Sequence, residues 1–241
     1  MKILVILVYY DRPNMVRFAL DSVAEQSYRN YSLAIIDDGS AISAWDIVHE
    51  HYFGKFPSTV LYRTDDSIED KIAQGGSRHG EQINYAIMDS DADVAILLCD
   101  DDAIYPGYLE GLAKYYSDNP SVNYSFGHVQ TFNPYEAEDY NHIVGNPIVF
   151  LNNHFYPINP YCQVDASQVS WRLDAYREAG IEFPSPQTSA LDADVYRQMY
   201  SAWGPCEFNG LTTQYKGWFE DQMGNRSDMF RPRDRGVYGT S

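Results

Sequence analysis

Ile3 to Val8 is an unbroken apolar run without alternation, the pattern of a strand covered on both faces inside a parallel sheet. A helix is expected next, because Val16, Ala19, Leu20 and Val23 recur at helical spacing after Pro13, a residue suited to the opening turn. Leu33 to Ile36 is a second short apolar run, followed by a helical stretch from about Ile42 to His51. Ser58 to Arg63 reads as a third strand and Gly75-Gly76 as a flexible loop. Ile83 and Ile87 then lie one turn apart on a helix leading into the strand Val94 to Cys99. Strands separated by helices predict an α/β fold: one Rossmann-like, mostly parallel sheet with helices on both faces, binding ligands beyond the carboxyl ends of its strands. The second half is less regular. Tyr124 to Tyr161 is rich in Tyr, Asn, His and Pro with weak strand signals and is expected to form loops laid over the sheet. Order returns near Val169 to Gly180, and Leu191 to Trp203 reads as a helix.

Two of these strands end in acid. Asp-Gly in Asp37-Asp38-Gly39-Ser40 is a hairpin signal, but the flanking helical patterns favour a strand-to-helix crossover, where a carboxylate can bond a base or a ribose. Leu97-Leu98-Cys99 runs directly into Asp100, Asp101 and Asp102. Adjacent carboxylates repel one another unless a hard cation lies between them, so a divalent metal holding a phosphate-bearing substrate is the first expectation. The alternative is a solvated turn before a helix opened by Pro106. A calcium loop of the helix-loop-helix type is excluded, since the required glycine and terminal glutamate are missing. Both acidic clusters should share one crevice. Asp192 fits a helix-capping pattern with Ser189 as N-cap, a structural role that competes with a catalytic one. Arg78 and His79 are either surface residues or part of the site.

The 241 residues allow a sizeable core and favour one domain. A formal charge of −17 opposes non-specific binding to nucleic acid or to an anionic membrane. Arg226, Arg231, Arg233 and Arg235 concentrate basic charge at the end of the chain, either to meet phosphate or as a solvated tail. The longest apolar stretch, Ile3 to Tyr10, is about half of a membrane span, and no cleavage site follows it. Cys99, Cys162 and Cys206 are too few and too scattered for a disulfide framework or a zinc cluster. A soluble, unprocessed cytoplasmic protein is expected.

The order of these motifs resembles the family 2 glycosyltransferases of the GT-A fold. Val8-Tyr9-Tyr10-Asp11-Arg12-Pro13 is similar to the family's first strand and turn, Ala19 to Tyr28 to its first helix, and Ile35 to Ser40 to its nucleotide-binding strand end. Ile83 to Ile87 resembles the helix before the metal strand, and Leu98 to Asp102 stands where the family has its D-x-D. The likeness continues through Ser170 to Asp174 and Gly180 to Phe183 and ends at Leu191 to Arg197, where Leu191 replaces the family's usual acid.

The resemblance implies an inverting, non-processive transferase using a UDP, GDP or dTDP type of sugar donor and Mn²⁺ or Mg²⁺. It also implies the site. Asp102 would hold the metal, Asp100 the ribose, Asp37 or Asp38 the base, and Tyr9, Tyr10 and Asp11 the turn closing around it. Asp101 and Arg78 would assist at the donor, and Asp192 would be the catalytic base. Residues 1–105 would then form the nucleotide-sugar half of a single domain, 106–223 the acceptor half and 224–241 a tail or lid. The acceptor would be a glycan or another hydroxyl compound, with DNA disfavoured by the acidic balance. A sugar-1-phosphate nucleotidyltransferase, whose Gly-rich loop is missing near the N-terminus, and a catalytically silent carbohydrate-binding module are the alternatives.

Overall fold

Strand β1 (Ile3–Tyr9) lies between two parallel neighbours, β2 (Tyr31–Asp37) and β4 (Val94–Cys99), in a computed structural model that describes residues 1–132, 149–150, 156–161, 163–186 and 191–217. Its side chains alternate between two apolar cores. Ile3, Val5, Leu7 and Tyr9 enter one, and Leu4 and Ile6 enter the other. Neither face meets water, which is why the run carries no polar alternation.

The first core is closed by α1 (Met15–Ala24), α2 (Ala44–His51) and, later in the chain, by a helix at 108–118. In α1 the expected stripe of Val16, Ala19, Leu20 and Val23 is fully buried, each of the larger side chains contributing roughly 1.5–3 kcal/mol. β3 (Thr59–Arg63) adds a parallel edge strand to β2. Next come α3 (Ile68–Gln74) and α4 (His79–Asp89), the latter placing Ile83 and Ile87 in the second core. After β4, the short β5 (Asp102–Ile104) and α5 (Tyr108–Asp118) return to the first core.

The remaining elements are β6 (Tyr124–Phe132), β7 (Val149–Phe150), β8 (Val169–Arg172), α6 (Leu173–Glu178), α7 (Leu191–Trp203) and β9 (Glu207–Gly217). The strand order is β3-β2-β1-β4-β8-β6-β9-β5, with β7 paired to β6. The fold is α/β, and most paired residues lie in parallel ladders, with antiparallel joints at β8, β7 and β5. The chain leaves β1 to build β2 and β3 on one side and returns to lay β4 on the other. This reversal opens a crevice at the carboxyl ends of β1, β2 and β4.

Several elements differ from the sequence expectation, among them the short strands β5 and β7. The flexible loop at Gly75-Gly76 is preceded by α3, which opens with a Ser67–Asp70 capping box and closes at Gly75 in the left-handed conformation, φ +86°. The first nine residues of the Tyr124–Tyr161 stretch are strand β6, not loop. Ser125 and Gln130 are buried polar residues there, so the alternation that marks a strand is masked. Within β6, Gly127 is fixed by close approach, since a Cβ would meet the Leu211 carbonyl at 2.4 Å. β9, eleven residues long, was not anticipated either, and it joins β5 to β6. The arginines from Arg226 onward, Ser189 and Cys162 lie outside the described residues.

Candidate functional site

The turns after β1 and β2 are laced together. Asp37, fully buried, accepts from the amides of Ser40 at 2.8 Å and Ala44 at 3.0 Å and from Arg63 Nη1 at 2.7 Å. Asp38 accepts from Thr64 Oγ1 at 3.1 Å and Ser77 Oγ at 2.8 Å, with Lys71 Nζ at 3.0 Å and His79 Nδ1 at 3.7 Å. Burial alone would raise the Asp38 pKa, but His79, Lys71 and Ser77 together outweigh it and hold the group at about 2. Between the two turns, Asp11 N–H donates to Ser40 Oγ at 3.0 Å, and Asp11 Oδ1 accepts from Ala41 N–H at 2.6 Å. Asp11 adopts φ +48°, an uncommon conformation outside glycine that this double fastening holds. Tyr9 is buried and donates its hydroxyl to the Ile42 carbonyl at 2.9 Å, while Lys71 Nζ sits 4.0 Å from the centre of the Tyr10 ring. Gly39 is required: φ is +76°, and a Cβ would meet the Asp66 carbonyl at 2.8 Å.

The end of β4 is clamped to the same turn by Arg12. Its Nη2 lies 2.7 Å from Asp100 Oδ1 and its Nη1 2.8 Å from Asp101 Oδ2, while Tyr10 N–H donates to Asp100 Oδ2 at 3.0 Å. Burial pushes the Asp100 carboxyl up to about 7, against Arg12, with Asp101 adding to the rise. Arg12, despite its own burial, is held above its ordinary value by Asp100 and Asp101.

Asp102 opens β5 and faces a different set of partners. Its Oδ2 accepts from Ser167 Oγ at 2.9 Å and from Gln214 Nε2 at 3.4 Å. Its Oδ1 is buried without a hydrogen-bond partner among the described residues, and Lys216 Nζ is 4.0 Å away. Asp165 accepts from Gln214 Nε2 at 3.0 Å and from Lys216, so one lysine serves two carboxylates. Burial drives Asp102 well above the usual carboxylate range, with Lys216 opposing; burial also acts on Asp165, where Lys216 and Gln214 win and the pKa falls. Asp192, in the first turn of α7, is raised to about 6 by burial and by the charge of Asp165, while the opening amides of the helix and Lys216 oppose the rise. Tyr196, one turn along α7, donates to the carbonyls of Ala166 at 3.0 Å and Asp165 at 3.3 Å and so ties this helix to the same cluster. Thus the charges of Asp165 and Lys216 act on both Asp102 and Asp192, which come from segments remote in sequence.

Cys99, Asp101 and Asp102 each offer a ligand atom, all within 4.8 Å of one another. Burial keeps the Cys99 thiol protonated, so the charged donors are carboxylate oxygens, which suit Mg²⁺ or Mn²⁺. The orphaned Asp102 Oδ1 fits such an ion. Arg78 stands at the margin, its guanidinium forked onto Asp66 at 2.9 and 2.7 Å.

Arg12, Arg63, Lys71, Asp165, Ser167, Gln214 and Lys216 were missed by sequence reasoning. Arg12 had a signal, since it lies inside the turn that follows β1. Asp165 and Lys216 had none, because they lie 51 residues apart and nothing local to either marks a site.

A family model described as Glycosyl transferase family 2 matches residues 4–166. The chain is 28% identical over 146 residues to Glycosyltransferase GlyA of Streptococcus pneumoniae serotype 4, covering 60% of this chain and 19% of that protein. It is 22% identical over 164 residues to Protein CgeD of Bacillus subtilis, covering 68% of this chain and 37% of that one. It therefore spans well under half the length of these curated relatives. Among solved structures, S. aureus TarS 1-349 in complex with UDP-GlcNAc matches with a TM-score of 0.65 at 15% identity, over 92% of this chain and 60% of that one. Mannosyltransferase PcManGT from Pyrobaculum calidifontis, in complex with GDP-Man and Mn2+, matches with a TM-score of 0.56 at 13% identity, over 94% and 59%. At these identities the two structures speak for the fold.

Proposed function

Because the chain belongs to glycosyl transferase family 2, we propose that it transfers one sugar from a nucleoside-diphosphate sugar to an acceptor hydroxyl, with inversion at the anomeric carbon. The supporting observation is the convergence of Asp102 and Asp192 on one carboxylate cluster through Asp165 and Lys216. A base is needed on the face of the sugar opposite the departing diphosphate, and a carboxylate raised to about 6 is ionised at neutral pH yet still basic enough to accept a proton.

In this mechanism the turns after β1 and β2 form the nucleoside side. Asp37 and Asp38 shape the pocket for the base, with Tyr9, Tyr10 and Asp11 as its wall and Arg78 at its edge. Asp100, held by Arg12, faces the ribose, and Asp101 lies beside it. Asp102 and Asp101 are the residues that would hold Mn²⁺ or Mg²⁺. When bound, such an ion stabilises the negative charge that builds on the leaving diphosphate. Asp192 takes the acceptor hydroxyl proton as the oxygen attacks. Residues 1–105 serve the donor and 106–223 the acceptor. Among the described residues no helix is long and apolar enough to cross a membrane, and Cys99 and Cys206 are free thiols, in keeping with a cytoplasmic setting.

Incubation with UDP-, GDP- and dTDP-sugars and Mn²⁺ tests the assignment. UDP-GlcNAc and GDP-Man come first, as the donors bound by the structural neighbours. Slow release of nucleoside diphosphate without added acceptor is the expected result. Release of pyrophosphate from a sugar-1-phosphate and a nucleoside triphosphate would point to a nucleotidyltransferase, and donor binding without turnover to a silent sugar-binding module.

A further inference from the structure

Lys216 lies beyond the region matched by the family model and is a cation that ties buried Asp102 to half-buried Asp165. It pairs with Asp165 and stands 4.0 Å from Asp102 Oδ1, the oxygen that has no hydrogen-bond donor among the described residues. Gln214, two residues earlier on β9, donates to Asp165 Oδ1 at 3.0 Å, and its own Oε1 is buried without a partner among the described residues. The cluster therefore presents acceptors in excess, with Lys216 as the counter-charge that reaches both sides.

We propose that Lys216 is a positioning residue that acts as a resident counter-ion: it neutralises Asp102 when no divalent cation is bound, and it yields Asp102 to that cation while remaining on Asp165. The inference rests on the reading that the Asp101–Asp102 cluster takes Mn²⁺ or Mg²⁺. Three features support a shared carboxylate over a permanent ion pair. The Lys216–Asp102 separation is at the outer limit of a salt bridge, Asp165 is the closer partner, and β9 fixes the lysine by pairing Lys216 with Asp102 in register across β5. Withdrawal from Asp102 thus needs a small movement of a side chain that keeps its other partner. A positive charge held about 4 Å from a metal ligand opposes a second cation, so Lys216 sets the affinity of the cleft for the metal.

Mn²⁺ binding without nucleotide, followed by electron paramagnetic resonance, tests this in the full chain. Lys216→Met should bind Mn²⁺ about tenfold or more tightly than the wild type, and Lys216→Arg, which keeps the charge, should stay near it. Unchanged or weaker binding in folded Lys216→Met overturns the inference. Asp102→Asn separates the two readings: if it abolishes Mn²⁺ binding while Lys216→Met has no effect, the metal site stands and the role of Lys216 falls. If neither wild type nor Lys216→Met binds Mn²⁺, both fall. A measurement on the wild type guards against a variant that does not fold. The Lys216 ammonium resonance should move as diamagnetic Mg²⁺ is added, and a resonance that stays fixed while Mg²⁺ binds is equally fatal.

Discussion

The two sides of the cleft neutralise their acids in different ways. On the side built from β1, β2 and β4, Asp37 has two amides and Arg63, and Asp38 has Thr64, Ser77 and Lys71, while Asp100 and Asp101 share Arg12, each on a separate guanidinium nitrogen, and Asp100 adds the Tyr10 amide. On the side built from β5, β9 and α7, Asp102 and Asp165 share Lys216, and Asp192 is raised by the charge of Asp165. The first side is complete before any ligand arrives. The second is short of positive charge, and a buried site in that condition is arranged for chemistry rather than for stability.

The largest effect should come from the acid-rich side. Asp192→Asn removes the proposed base and should lower the transfer rate by about 10²–10⁴, with nucleotide affinity nearly intact. Stability should move the other way. The folded-state pKa of Asp192, about 6, lies above the ordinary value of 3.8, so the group favours folding fully below pH 3.8 and loses that contribution as pH rises through about 6. At pH 7.5 the ionised carboxylate is therefore a net cost, and the Asn variant should melt no lower than the wild type. A variant that melts earlier and still turns over would instead make Asp192 a helix cap.

On the completed side the expected damage is to folding. Arg12→Met strands Asp100 and Asp101, whose side chains are 2% and 11% exposed, and removing one partner of a buried ion pair costs about 3–5 kcal/mol. Urea denaturation measures it. Arg78→Ala is the control, because its guanidinium is 46% exposed and its fork onto Asp66 is screened by water; the denaturation midpoint should hardly move. Equal losses from the two variants would erase the distinction between a clamp and a surface pair.

The same contrast governs what the sequence discloses. β1, β2 and β4 are continuous apolar runs that end in acid, so strand, crossover and carboxylates were legible from adjacent letters, and α7 was expected over the span it occupies. Asp37, Asp38 and Asp100 to Asp102 stand out from the sequence alone. What escaped notice is set by pairing across the sheet. Lys216 becomes a site residue only because β9 lies antiparallel to β5 in a register that puts it opposite Asp102. Asp165 does so through a short helical turn, Ala166–Gln168, that it caps itself. Such contacts are tertiary, and no spacing rule anticipates them. Arg12 was the avoidable omission, since an arginine beside strand-end carboxylates is the obvious counter-charge.

The subtlest expected effect probes how the acids of the second side act on one another. If Asp192 is the base, transfer should fall as pH drops below about 6, because the protonated carboxyl cannot accept the acceptor's proton. Asp165 contributes to that elevation, and Asp165→Asn removes its charge while leaving the neutral amide able to bond Gln214 or Lys216. Lys216, released from its closer partner, also becomes more available to the remaining carboxylates. Both changes favour the ionised form of Asp192, so the acid limb of the kcat/KM profile should move to lower pH, by less than about one unit. A merely structural role for Asp165 would lower the rate at every pH and leave the limb in place. A limb that shifts upward would mean that the charge of Asp165 does not raise Asp192, and the two sides of the cleft would then be more alike than their hydrogen bonds indicate.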